Sequence, residues 1–290
     1  MGEAKDRGDS VPLVVPVAYQ GGKTRLAAEI VDHWWPTERR FYDLCCGSGA
    51  ITIEMLNRGF PLDEIVMVDA GPWGLFWNEI GRGVFDFDVF NSYLDAIPDE
   101  LDKVCGWMKD LSSYPASQDT AEVFIILQAA SFGGKAIWIE GDRWKNNTFR
   151  NYWTPTATSS RRSPVNPMMP MPDTLRRRVW NVMTNMHGIE AYCIDVDRLD
   201  IEVGSLVYVD PPYLGTTAYG YTFDVDKLFQ SVIQTSTCFV SEGRQIGPHG
   251  VLLHAGRSKG GISGDRKVIA NQEWLSWGAA LSGSGPQPPC

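Results

Sequence analysis

Phe41-Tyr42-Asp43-Leu44-Cys45-Cys46-Gly47-Ser48-Gly49 is an apolar run that ends in two closely spaced glycines, and a helical pattern begins directly after it at Ala50. The apolar part predicts a buried β-strand and the glycines predict a turn. Glycine lets the backbone approach a ligand closely, and the amino end of the next helix favours a bound carboxylate. The stretch therefore predicts a strand–turn–helix unit whose turn either binds a ligand or only packs.

A second buried strand, Ile65-Val66-Met67-Val68, follows along the chain and ends at Asp69. An acidic side chain at that point can bind both ribose hydroxyls of a nucleoside cofactor. Asp43, which lies inside the first strand, is predicted to position the glycine turn. Together the turn and Asp69 predict a nucleoside site at one edge of a sheet.

Strands and helices alternate along most of the chain, which is typical of an α/β protein with a parallel sheet. The pattern predicts helix 24–34, strand 41–46, helix 50–58, strand 64–69, helix 73–82, helices at about 93–111, 119–131 and 173–187, strand 189–195, strand 205–209, helix 225–236, and strands near 237–241 and 250–255. Residues 1–16 are expected to form a loose leader and residues 282–290 a flexible tail.

The tetrapeptide Asp210-Pro211-Pro212-Tyr213 follows the apolar strand 205–209 and predicts a carboxylate at its carboxyl end. Asp210 and the Pro211 carbonyl can accept hydrogen bonds from an exocyclic amine, whose lone pair is otherwise delocalised into its ring. The two prolines stiffen the loop and remove backbone donors. Stacking of a base on Tyr213 is worth ~1–3 kcal/mol. The tetrapeptide is either a site for an unpaired planar amine or an ordinary strand-ending turn.

These segments resemble the Dam-like (D12 class) DNA adenine-N6 methyltransferases, in the order of that family and over about residues 17–85 and 190–277. The matching segments are Ala18-Tyr19-Gln20-Gly21-Gly22-Lys23, similar to the family's Trp-Ala-Gly-Gly-Lys element; Phe41 to Gly49, similar to its Asp-x-Phe-x-Gly-x-Gly loop; Asp210 to Tyr213; and Gly256-Arg257-Ser258, Arg266-Lys267 and Glu273-Trp274-Leu275, similar to its closing stretch.

The resemblance implies a Rossmann-like fold that uses S-adenosylmethionine without a metal. It divides the chain into a catalytic domain (17–90 and 189–281) and a mainly helical inserted target-recognition region (91–188). The implied catalytic residues are Asp210, Pro211, Pro212 and Tyr213, and the implied cofactor-binding residues are Tyr19, Lys23, Asp43, Gly47, Ser48, Gly49, Asp69 and Asp195. Asp195 stands for a third cofactor acid that the family has before the tetrapeptide, and Asp197 is the alternative.

The activity implied by the resemblance is methylation of adenine N6 on a base flipped out of double-stranded DNA. Methylation of cytosine N4 or of an RNA base is an alternative within the same class. A non-catalytic DNA-binding module that keeps the fold is the alternative from another class.

The formal net charge of −9 conceals a basic segment in the middle of the chain. Residues 143–178 hold eight basic side chains and one acid, Asp173, interleaved with aromatic residues and prolines. This pattern predicts phosphate and base contacts with DNA, although a solvated loop without a partner has the same composition. The predicted nucleic-acid-binding residues are Arg143, Lys145, Arg150, Arg161, Arg162, Arg176 and Arg177.

Composition is that of a globular protein with a full core, at 290 residues and 43% apolar. No run of 18 apolar residues is present, so neither a membrane span nor a secretory signal is predicted. The six cysteines form no C-x-x-C pair, which favours reduced thiols in the cytoplasm and argues against a zinc site. We expect a monomer or a weak dimer.

Overall fold

The computed structural model describes residues 11–34, 40–149, 157–158, 168–212, 224–259 and 268–280. The predicted site residues Tyr213, Arg150, Arg161 and Arg162, the tail 282–290 and most of the leader lie outside these residues.

The helices of the described residues pack on both faces of a central sheet. In chain order they are α1 (Ala27–Asp32), α2 (Ala50–Asn57), α3 (Pro72–Arg82), α4 (Phe87–Asp95), α5 (Val104–Leu111), α6 (Thr120–Ala130), α7 (Pro172–Asn185) and α8 (Val225–Val232). None of them is both long and apolar enough to cross a membrane.

The strands of the same residues are β1 (Phe41–Leu44), β2 (Ile65–Val68), β3 (Trp138–Glu140), β4 (Arg143–Lys145), β5 (Glu190–Tyr192), β6 (Leu206–Val209), β7 (Thr237–Glu242), β8 (His249–Lys259) and β9 (Val268–Gly278). The main sheet has seven strands in the order β5-β2-β1-β6-β7-β9-β8. The five strands from β5 to β7 are parallel, and β9 is antiparallel to both of its neighbours. The protein is therefore a mixed α/β protein with a mostly parallel sheet, compatible with a Rossmann-like fold.

Most of the predicted strands and helices are confirmed, and three differences have physical causes. The single helix predicted over 93–111 is two helices, α4 and α5, because Pro98 between them cannot continue a helix. The hairpin of β3 and β4, whose second strand lies in the basic segment, was not predicted because each strand has only three residues. Strand β9 was also missed, because its consecutive polar residues 271–273 interrupt the apolar alternation.

The side chains of the parallel strands alternate between two cores. In β1, Phe41 points into the larger core, which α2, α3, α6 and α7 cover, whereas Leu44 points into the smaller core beneath α8. Helix α6 is buried along its entire length, as expected for a helix that is apolar on all sides. Because α6 and α7 share this core with β1 and α3, the helices from the middle of the chain are part of the same packed body.

Candidate active site

The carboxyl ends of β1, β2 and β6 lie side by side at one edge of the sheet. After β1 the chain adds β2 and then β5 on one side of β1, and it later adds β6 and β7 on the other side. The strand order therefore reverses between β1 and β6. Ligands of open α/β sheets bind in the crevice at such a switch point. The segments that meet here are the glycine turn after β1, Asp69 after β2, Asp210 after β6 and the segment 19–23.

The glycine turn is held by hydrogen bonds from its neighbours. The Cys46 amide donates to the Val68 carbonyl at 3.0 Å, and Trp77 Nε1 donates to the Gly47 carbonyl at 2.8 Å. Gly47 and Gly49 have φ of 49° and 71°, in the left-handed region that costs glycine little. Gly49 directly precedes α2, so the amides of Ala50 and Ile51, which have no intrahelical acceptor, lie at the switch point.

Tyr19 covers the glycine turn. A Cβ placed on Gly47 would lie only 2.0 Å from the Tyr19 hydroxyl oxygen. The Tyr19 ring also packs 5.7 Å, centroid to centroid, from Trp73. The Gly22 amide donates to the Tyr19 carbonyl at 3.0 Å and closes the turn that presents this ring. Tyr19 therefore packs against the glycine turn, and its predicted contact with the cofactor stays a prediction.

The contact between Tyr19 and Gly47 makes a prediction about stability. We expect Gly47→Ala to lower the free energy of unfolding by about 1–2 kcal/mol, because alanine is strained in the left-handed conformation of this position. The clash of the new methyl group with Tyr19 should add a further loss. In a Tyr19→Ala background the clash is removed and only the backbone cost remains. Urea unfolding of the wild type, the two single variants and the double variant measures this coupling. Additive losses would contradict the contact.

Asp69 connects the glycine turn with the start of α3. Its Oδ2 accepts a hydrogen bond from the Gly47 amide at 3.1 Å, and its Oδ1 accepts one from the Gly71 amide at 2.7 Å. Burial raises the pKa of Asp69, and these two amides oppose the rise. Each carboxylate oxygen keeps a second lone pair, so the predicted ribose contacts remain chemically open.

Asp43 is almost fully buried, at 1% exposure, and ties β1 to α2. Its Oδ2 accepts hydrogen bonds from the Thr52 hydroxyl at 2.7 Å and the Thr52 amide at 3.2 Å. Burial raises the pKa of Asp43 to about 7, against the lowering effect of Thr52 and with smaller contributions from Asp210 and Asp69. Asp43 thus holds the helix that follows the glycine turn through Thr52, and its predicted role in positioning the turn stays a prediction.

Lys23 and Asp210 form a largely buried ion pair. Lys23 Nζ lies 2.6 Å from Asp210 Oδ1 and 3.5 Å from Glu273 Oε1, and it donates to the Gly21 carbonyl at 3.1 Å. The two paired side chains are 5% and 12% exposed. Lys23 was predicted to contact the cofactor, and that contact stays a prediction. The structure places its ammonium group on the carboxylate of the Asp-Pro-Pro-Tyr tetrapeptide.

Two further acids, Glu273 and Glu242, lie near the ion pair of Lys23 and Asp210. Burial raises the pKa of Asp210 to about 6, Lys23 lowers it, and Glu273 and Glu242 raise it. Glu242 ends β7 and is paired in register with Trp274 of β9, next to Glu273. In the sequence, Glu273 belongs to the segment that resembles the family's closing stretch, but it was not predicted as a site residue. Only the pairing of β7 with β9 brings it there.

The other predicted residues of this edge occupy different positions. Pro211 is buried and Pro212 is half-buried directly after Asp210. Asp195 is exposed just beyond the carboxyl end of β5, where its carbonyl accepts a hydrogen bond from the Arg198 amide. Its predicted cofactor contact stays a prediction.

The described residues at the switch point enclose a narrow cleft of about 10 Å³, close to the volume that a single water molecule needs. The cleft is lined by Tyr19, Gly22, Lys23, Asp43, Cys46, Ser48, Ala50, Ile51, Tyr208 and Asp210. Asp210 lines this cleft together with Tyr19 and Lys23.

The predicted DNA-binding residues of the described chain lie on two elements. Arg143 and Lys145 are on the hairpin strand β4, where Arg143 is 82% exposed and Lys145 pairs with Glu140 at 2.7 Å. Arg176 and Arg177 are on α7. Arg176 is half-buried and pairs with Asp95 at 2.5 Å and with the Asn91 side-chain oxygen at 2.9 Å, whereas Arg177 is exposed.

No known family model and no curated protein matches this sequence. Within the residues that the structure describes, no group of three or more His, Cys, Asp or Glu side chains is arranged to hold a metal ion.

Proposed function

We propose that the protein transfers a methyl group from S-adenosylmethionine to adenine N6 in double-stranded DNA. The observation that carries the proposal is the position of Asp210. Its carboxylate lies at the switch point of the sheet, together with the glycine turn and Asp69, and it is paired with Lys23. An acceptor for an amine and a set of groups suited to a nucleoside thus lie at the same edge of the sheet.

The donor set around the glycine turn fits the proposed cofactor. Amides at the start of α2 suit a carboxylate, and the free lone pairs of Asp69 suit ribose hydroxyls. When bound, S-adenosylmethionine supplies a methyl group on a positively charged sulfur. The chain has to bind it, align it and exclude water, and we propose the Tyr19 ring beside Gly47 as an aromatic wall for it.

Asp210 would act on the amine of the target base. As a carboxylate it accepts hydrogen bonds from the amine, and it takes up the proton that the nitrogen loses after methylation. Because the pKa of Asp210 is about 6, the group is ionised at neutral pH yet basic enough to receive that proton. Lys23 opposes the effect of burial and keeps Asp210 from becoming protonated near neutral pH.

The exposed cations on the hairpin and on α7 support DNA as the polymer that presents the base. Arg143 and Arg177 project from the body of the protein and are suited to phosphate contacts. We propose that the hairpin of β3 and β4 contacts the duplex while the flipped base enters the cleft.

The proposed function is tested by incubating the protein with methyl-labelled S-adenosylmethionine and unmethylated duplex DNA, followed by digestion to nucleosides and mass spectrometry. We expect label in N6-methyladenine. Label in N4-methylcytosine would show that cytosine is the target base instead of adenine, and transfer to RNA alone would show that RNA is the substrate. Specific DNA binding without any transfer would favour the non-catalytic module.

A salt titration tests the role of Arg143. Each phosphate contact that is lost reduces the slope of log K against log salt by roughly one unit, and we expect Arg143→Ala to do so on every DNA sequence. Fluorescence anisotropy with a labelled duplex measures the slope. Lys227→Ala, which removes an exposed cation on α8, is the matched control. Equal slopes for both variants would exclude the hairpin contact.

A further inference from the structure

A second and larger cavity lies away from the switch point, between the helices from the middle of the chain and the hairpin. Its volume is about 260 Å³, somewhat below the roughly 300 Å³ at which typical small-molecule sites begin. The residues that line it come from α4, the end of α5, the segment 114–119, α6 and β4. A cavity of this size suits one ring system rather than a complete nucleotide cofactor.

Aromatic side chains form much of the wall. Tyr93 belongs to α4, Tyr114 follows α5, and Trp144 is the central residue of β4. Trp144 is only 5% exposed and is packed into the main core, whereas Tyr114 is 67% exposed at the rim. Aromatic walls of this kind favour a flat ligand, because stacking on a ring is a large part of the affinity for planar bases.

One carboxylate supplies the polar recognition. Asp119, half-buried before α6, accepts hydrogen bonds from the Tyr93 hydroxyl on Oδ2 and from the Ser117 hydroxyl on Oδ1. Burial by itself would raise the pKa of Asp119, but the hydrogen bonds from Ser117 and Tyr93 have the larger combined effect and the pKa is lowered. The group is therefore anionic at neutral pH. No basic side chain of the described residues lies within ion-pair distance of it.

An anionic acceptor within aromatic walls selects for ligands with N–H donors. Both oxygens of Asp119 keep a lone pair after accepting one hydroxyl each, so an amino group can still bind. The same charge disfavours phosphates and carboxylates. We propose that this cavity binds a planar ring that carries an amino group, of the adenine or cytosine class, either as a free nucleoside or as an unpaired base of a single strand.

This site does not depend on the proposed methyl transfer, because none of its lining residues belongs to the cleft at the switch point. The two sites can be told apart by their variants. Asp69→Asn changes the switch point, whereas Asp119→Asn and Tyr114→Ala change the second cavity.

Isothermal titration calorimetry with cytidine and uridine tests the proposal, because uridine carries a carbonyl oxygen in place of the amino group. We expect cytidine to bind about ten-fold more tightly or better, as one hydrogen bond to a charged acceptor predicts. Asp119→Asn should remove this preference. Tyr114→Ala, at an exposed position, should weaken both nucleosides by about ten-fold.

The matched controls are Asp110→Asn and Trp180→Ala, which change an exposed carboxylate on α5 and an exposed aromatic ring on α7, both outside the cavity. These variants should bind like the wild type. Short single strands of deoxycytidine and of thymidine, titrated in parallel, distinguish a base in a polymer from a free nucleoside as the source. Dependence on Tyr114 and Asp119 in either arm supports the proposal.

Three results would overturn the assignment. Binding that responds to Asp69→Asn but not to Tyr114→Ala would place the nucleoside at the switch point instead. Equal affinity for cytidine and uridine in the wild type would remove the role of the amino group. Competition by tetramethylammonium at the concentration at which cytidine binds would indicate a cage for a compact cation rather than a site for a planar ring.

Discussion

Asp210→Asn is expected to lower the rate of methyl transfer by about 10²- to 10⁴-fold, the range for loss of a group that accepts a proton during the reaction. Asparagine keeps the shape of the side chain and one acceptor oxygen but cannot take a proton from the methylated amine. Cofactor affinity should change little, because the glycine turn and Asp69 are untouched. The measurement is single-turnover transfer under saturating DNA and cofactor.

The pH dependence of the wild type provides a second readout for Asp210. Because burial raises its pKa to about 6, the carboxylate form is lost as pH falls through that value, and the rate should fall with it. Asp226→Asn, which removes an exposed carboxylate on α8, is the matched control and should behave as the wild type. A flat rate from pH 8 to 5, or full activity of Asp210→Asn, would disprove the proposed role of this carboxylate.

Lys23→Met is expected to destabilise the folded protein by about 3–5 kcal/mol at pH 8, as found when one partner of a buried ion pair is removed. Asp210 then loses the cation that opposes its desolvation, while Glu273 and Glu242 still repel its charge. Chemical denaturation at several pH values measures the loss.

The sign of the pH effect follows from linkage. Asp210 already has a folded pKa above its unfolded value, and loss of Lys23 raises the folded pKa further. In Lys23→Met it is therefore the ionised form of Asp210 that destabilises the folded protein. The loss of stability should become smaller as pH falls from 8 to 5 and Asp210 takes up a proton.

Two variants control the interpretation of Lys23→Met. The double variant Lys23→Met/Asp210→Asn has no buried charge at this pair and should recover most of the stability at pH 8. Lys103→Met removes a lysine from an exposed surface pair with Glu100 and should have little effect. A loss for Lys23→Met that is independent of pH and not recovered in the double variant would indicate lost packing only.

The sequence predicted the elements whose signal is local. The apolar strands β1, β2 and β6 were predicted correctly, and so were the positions of the glycine turn and Asp69 at strand ends. Buried strands and turns have strong short-range patterns. A parallel sheet fixes where such strand ends meet, so the outline of the cleft was predictable.

The remainder depends on long-range contacts that a single sequence does not reveal. Lys23 and Asp210 are 187 positions apart, and their pairing follows only from the order of the strands. Glu273 enters the site because β9 inserts between β7 and β8. The hairpin of β3 and β4 was missed because its strands have three residues each, too few for a periodic pattern.

The strand order has a consequence for how the protein folds during synthesis. β1 pairs with β2, its near neighbour in the chain, and also with β6, where Phe41 is in register with Leu206. Contacts between near neighbours form early, whereas distant pairings must wait for loop closure. The glycine turn and Asp69 can therefore assemble on the emerging chain well before the ribosome has produced Asp210. We expect nascent chains that stop short of β6 to acquire the glycine turn and Asp69 while they still lack Asp210.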